Sequence, residues 1–164
     1  MQKKILIPTD FSVQSLNILK SILSNNSSKT RLDIILIHGF RLSDSIMDLL
    51  FYSKHQQISA LTTSEFKEAC GVIKNKYDSQ INSLTIELFS GFNVSAFNNY
   101  LEANKIDEIF ISDKEMTFTN KSSFDLSHYI KKCRINSSTI NISNNSIFPE
   151  KGKVAEVFNQ VSIG

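Results

Sequence analysis

The first apolar run, Ile5-Leu6-Ile7, is too short for a helix and stops at Pro8, which fits a strand buried on both faces of a parallel sheet. From Ser12 the spacing changes: Val13, Leu16, Leu19, Ile22 and Leu23 recur at helical intervals until Asn25-Asn26-Ser27-Ser28 breaks the pattern. A second buried-type strand, Asp33 to His38, is followed by Gly39 and a long excursion, Arg41 to Leu61, with an apolar cluster at Ile46, Met47, Leu49, Leu50 and Phe51. Phe66, Cys70, Ile73 and Tyr77 then make a helical face. Leu84, Ile86 and Leu88 alternate with Thr85 and Glu87, the mark of a strand with one wet side near a sheet edge. Val94, Phe97 and Leu101 predict another helix, and Ile109-Phe110-Ile111 a fourth buried strand ending at Ser112-Asp113. After a polar loop, Leu126, Tyr129, Ile130 and Cys133 give a helix with Lys131, Lys132 and Arg134 in its last turn, where cations complement the helix dipole. Ser138 to Ser143, alternating around Ile140 and Ile142, is a fifth strand.

Strict alternation of strand and helix predicts an α/β fold: a five-stranded parallel, doubly wound sheet with right-handed crossovers and helices on both faces. Residues 1–143 form one domain on this reading. Residues 144–164 form a tail whose Val154, Val157, Phe158 and Val161 predict a short amphipathic helix.

Composition narrows the classes. A chain of 164 residues, 41% apolar with 12 Phe, can build one substantial core. Lys and Arg total 18 against 16 Asp and Glu, so charge gives no argument for nucleic acid or membrane lipid, and neither partner is expected. Cys70 and Cys133 lie far apart without a CxxC pair, on apolar helix faces, which reads as buried thiols of a reduced, cytoplasmic chain. The N-terminal apolar run is too short for a signal peptide or a membrane span. His38, His55 and His128 have no ligand-like spacing, so no metal is expected. Neither a GxSxG elbow nor a GxxxxGK[ST] phosphate loop occurs.

In doubly wound sheets ligands bind outside the carboxyl ends of the strands, where strand order reverses. Those ends are Pro8-Thr9-Asp10, His38-Gly39, Ser90-Gly91 and Ser112-Asp113. With the first and fourth strands flanking the switch, Asp10 and the loop after Ser112 face one crevice. Thr9, Asp10 or Ser12 can instead cap the first helix by accepting its free N–H groups, worth about 1 kcal/mol, and this is the main role expected of Asp10. Ser122 and Ser123 read most simply as an N-cap before Phe124-Asp125-Leu126.

The segments KKILIPTDFSVQSLNILK, ILIHGF, IDEIFISD and KSSFDLSHYIKKCRINSSTINIS together resemble the universal stress protein family over roughly residues 3–143. The first, with PTDFS, is the most specific. The resemblance implies a sheet of order 3-2-1-4-5, often dimerised through the fifth strands, and a family with ATP-binding and non-binding members. The ATP-binding members carry, after the fourth strand, Gly, two residues, Gly, nine residues, then Gly-Ser or Gly-Thr. Such glycines let backbone N–H groups approach phosphate. Here Ser112, Glu115 and Ser122 stand at those positions, only six residues separate the last two, and no glycine lies between Gly91 and Gly152. Asp113 and Glu115 are expected to oppose an incoming phosphate.

The expectation is therefore a non-catalytic regulatory or binding protein with a degenerate nucleotide site, no required cofactor, and a crevice lined by Pro8, Thr9, Asp10, His38, Ser112, Ser122 and Ser123. The alternative is an ATP-dependent switch or slow ATPase using the altered loop. A homodimer through the edge strand Ser138 to Ser143 and an unidentified protein partner are expected. The Ile46 to Phe51 cluster is expected in the core, with an interface or a lid over the crevice as alternatives.

Overall fold

The computed structural model of the protein describes residues 1–27 and 29–142. The predicted tail helix and the last residue of the predicted fifth strand, Ser143, lie outside the described residues.

Five parallel strands form the sheet: β1 (Gln2–Pro8), β2 (Arg31–Phe40), β3 (Ile81–Phe89), β4 (Glu108–Ser112) and β6 (Ser137–Ile140), in the order β3-β2-β1-β4-β6. This is the predicted order with β6 as the fifth parallel strand, ending at Ile140 among the described residues. One element is additional. Ser123–Phe124 makes a two-residue strand, β5, antiparallel to Gly39–Phe40 of β2.

The apolar runs form strands because both sides of the sheet are covered, as parallel sheets require. Ile5, Ile7, Ile34 and Leu36 face one layer with α1 (Asn17–Asn25) and α4 (Ser64–Lys76), through Leu19, Leu23, Phe66 and Ile73. Leu6, Ile35, Ile37 and Ile109 face the other, with α5 (Val94–Ala103) and α6 (Ser127–Lys132), through Phe97, Leu101 and Ile130. Each such side chain contributes roughly 1.5–3 kcal/mol by leaving water.

Local chemistry sets the helix starts. Ser12 opens a 3-10 turn (Val13–Leu16) leading into α1, Thr63 caps α4 and Asn93 caps α5, each accepting from an N–H three residues on. At the end of α5 the chain turns at Lys105, with φ of 54° where glycine is the usual choice, while Ile106 N–H returns to the Leu101 carbonyl.

The excursion after β2 departs from expectation. It holds α2 (Ile46–Leu50) and α3 (Lys54–Leu61), neither with a buried residue. Ile46, Met47, Leu50 and Phe51 are 63–77% exposed, so this cluster is not core. Its helices touch the sheet at its β3 edge, where Lys54 pairs with Glu87 at 2.6 Å.

Candidate functional site

At the carboxyl ends of β1, β2 and β4 the sequence brings together most of the residues expected there, and then fills the space between them. β1 ends in buried Pro8, and Thr9 N–H still donates to the Ile37 carbonyl at 2.8 Å, so the chain stays beside β2 before turning. The turn passes through Phe11 at φ 65°, a left-handed conformation costing a side-chain-bearing residue about 1–2 kcal/mol. Packing of the ring offsets this cost. Phe11 is buried, stacks on His38 with centroids 4.4 Å apart, and meets Phe66 edge-on at 5.5 Å.

His38 is held from both sides. Nδ1 lies 2.8 Å from the Thr9 carbonyl, which can only accept, so Nδ1 carries the proton. Nε2 therefore accepts from the Ser123 hydroxyl at 2.6 Å. Burial pushes the His38 pKa below its usual range, against smaller upward contributions from the Thr9 carbonyl and the Asp10 charge. The ring is a neutral strut between β1, β2 and β5.

Asp10 does not cap the helix; Ser12 does, accepting from Ser15 N–H. One oxygen of Asp10 accepts from the Ser12 N–H at 2.9 Å and hydroxyl at 2.6 Å. The other reaches across the crevice to the Thr117 N–H at 2.9 Å. The carboxylate thus fastens the loop after β4 to the end of β1, and the next residue, Phe118, sets its ring edge-on to His38 at 5.6 Å. Phe118 is the site residue that sequence reasoning passed over.

The loop's serines are also committed. Ser112 Oγ accepts from Lys114 N–H in a local turn. Ser122 receives the Arg41 N–H on its carbonyl, and Ser123 donates to His38. Neither serine caps a helix: Ser123 belongs to β5 and pairs with Phe40, Ser122 directly precedes it, and at the start of α6 it is Asp125 that accepts from the Ser127 N–H. Asp113 does not face the crevice. It accepts from the Ile142 N–H at 2.9 Å and so secures the chain beyond β6, while exposed Glu115 is solvated.

Gly39 explains how β5 gets so close. A Cβ there would lie 2.6 Å from the Phe124 carbonyl oxygen and 2.9 Å from its ring. Beyond this clip the Arg41 guanidinium lies over the Phe124 ring at 4.6 Å.

The loop after β4 thus places the Thr117 N–H on Asp10 and the Phe118 ring against His38. Among the described residues no cluster of three His, Cys, Asp or Glu side chains is placed to hold a metal, and no helix is long and apolar enough to cross a membrane. Cys70 is half-buried on α4, its thiol pushed up to about 12 by burial, and Cys133 donates to the Ile130 and Ile135 carbonyls.

No protein-family model matches the chain. No curated protein matches its sequence. Solved structures do match its fold. MJ0577 aligns over 87% of this chain and 97% of its own at 20% identity, with a TM-score of 0.53. The universal stress protein UspA from Lactobacillus plantarum aligns over 84% and 97% at 14% identity, TM-score 0.53. A universal stress protein family protein from Arabidopsis thaliana, solved with AMP bound, aligns over 91% and 97% at 13% identity, TM-score 0.50. The chain has the fold of the universal stress proteins.

Proposed function

We propose that the protein is a universal stress protein-like regulatory or binding protein that performs no catalysis, with a nucleotide crevice closed by its own loop. One observation carries this reading: the Asp10 carboxylate, at the position that faces the crevice, is spent on the Thr117 N–H, and Phe118 follows it onto His38. A phosphate approaching here meets a carboxylate and an aromatic ring in place of free backbone N–H groups. Two free thiols suit a reducing, cytoplasmic setting. The edge of β6, whose Ser137, Ser138 and Thr139 are exposed, suits pairing with a second copy.

A second reading is an ATP-dependent switch or slow ATPase in which the loop leaves the crevice. It is favoured by the AMP held by the Arabidopsis protein of the same fold. Nucleotide binding would then compete with the Asp10 to Thr117 bond.

Isothermal titration of the full chain with ATP and magnesium, and with AMP, separates the two. The closed-crevice reading expects no heat at millimolar nucleotide and a gain of binding in Phe118→Ala. Micromolar binding by the unaltered chain that Asp10→Ala abolishes would overturn it.

A further inference from the structure

The open cavity of about 650 Å³ beside the clip is built mainly by the excursion, and of the residues expected in the crevice only Ser122 lines it. Its volume falls within the range of small-ligand sites, roughly 300–1,000 Å³. Its walls have two characters. Met47, Leu49 and Phe51, all exposed, and half-buried Tyr52 supply an apolar side. Arg41 and Lys121 supply the other. Neither cation forms an ion pair among the described residues, where the pairs are Lys3 with Glu108 and Lys54 with Glu87. The one acidic side chain in the lining, Asp48, already accepts from the Ser43 hydroxyl at 2.9 Å.

We propose that this cavity binds a small amphipathic organic anion, its apolar body against Met47, Leu49 and Phe51 and its anionic head between Arg41 and Lys121. Two facts about the walls select that chemistry. Unfilled apolar surface favours a hydrocarbon or aryl body by about 25 cal/mol per Å² removed from water. Two cations with no carboxylate partner favour a carboxylate, sulfonate or phosphate head over an uncharged one. Arg41 is oriented in advance by the Phe124 ring beneath its guanidinium and by its N–H bond to the Ser122 carbonyl, so the head meets a fixed donor.

The test titrates the full chain with 8-anilinonaphthalene-1-sulfonate, followed by its fluorescence, then competes the dye with decanoate, decyl phosphate and decanol. Saturable binding of one equivalent is expected, displaced by either anionic chain and not by decanol; the stronger of the two competitors identifies the head. Lys121→Gln, at an exposed side chain, and Arg41→Gln should each weaken binding roughly tenfold, one charge-assisted contact. Ile46→Ser with Leu50→Ser, on the outer surface, should leave it unchanged. Binding insensitive to both charge changes, binding lost with the outer-surface pair, or no saturable binding would each overturn the proposal. The crevice is read separately by ATP titration of Phe118→Ala, so failure at one site does not touch the other.

Discussion

Two regions at the same end of the sheet treat their aromatic residues in opposite ways. At the end of β1, Phe11 is driven into a left-handed backbone so that its ring can be buried between His38 and Phe66; in the excursion after β2, Phe51 has a relaxed helix end and is 77% exposed. The first region has traded conformational freedom for a sealed floor, and its polar groups answer one another. The second keeps apolar side chains and unpaired cations facing open space. On the reading proposed above, the closed region is a crevice filled by its own loop, and the open one is the surface left to a ligand.

The contrast is sharpest in paired substitutions. Phe11→Ala should cost about 3–5 kcal/mol by leaving a cavity under His38, measured by chemical denaturation. Gly39→Ala comes next, at roughly 1–3 kcal/mol, because the new methyl collides with the Phe124 carbonyl and ring. Ser123→Ala should cost about 1–2 kcal/mol, since His38 Nε2 then lacks its donor in a buried setting. The same strut predicts a pH effect. The folded chain holds His38 neutral below 6.5 and the unfolded chain protonates near 6.5, so acidification protonates the unfolded state first. Stability from this group is complete above about pH 6.5 and declines below it, and a His38→Gln variant should flatten that part of a melting-temperature profile. The smallest effect belongs to the open region: Phe51→Ser should change stability by less than about 0.5 kcal/mol. A loss there comparable to that of Phe11→Ala would mean that the Ile46 to Phe51 segment is packed after all, and the contrast would fail.

Legibility in the sequence follows the same division. Ile5 to Ile7, Ile34 to Ile37 and Ile109 to Ile111 could be read as buried strands because unbroken apolar runs bounded by Pro, Gly or Asp have few other homes. The helical face of Phe66, Cys70, Ile73 and Tyr77 is equally plain from spacing, with Phe66 and Ile73 buried. What could not be read depends on distant partners. Asp10 looked like a cap because capping is local, whereas its second bond goes to Thr117, 107 positions away. A two-residue strand such as Ser123–Phe124 has no periodicity to detect, so its serines looked like a helix start. The excursion shows the limit from the other side: apolar spacing over Ile46 to Phe51 states that a surface wants cover, and cannot state whether cover exists. One signal was present and unused, the lone aromatic Phe118 inside an otherwise polar loop.

The β5 clip has a kinetic consequence. Its Gly39–Phe40 ladder, the Arg41 N–H on the Ser122 carbonyl and the Thr117 N–H on Asp10 all tether one short stretch of chain to the ends of two neighbouring strands. Lifting that stretch breaks them together, so the amide protons of Arg41, Thr117 and Phe124 belong to a single opening event. In hydrogen exchange they should trade with deuterium at a shared rate, slower than the amides of α2 and faster than those of central β1, and that rate sets how often the crevice is offered to solvent at all.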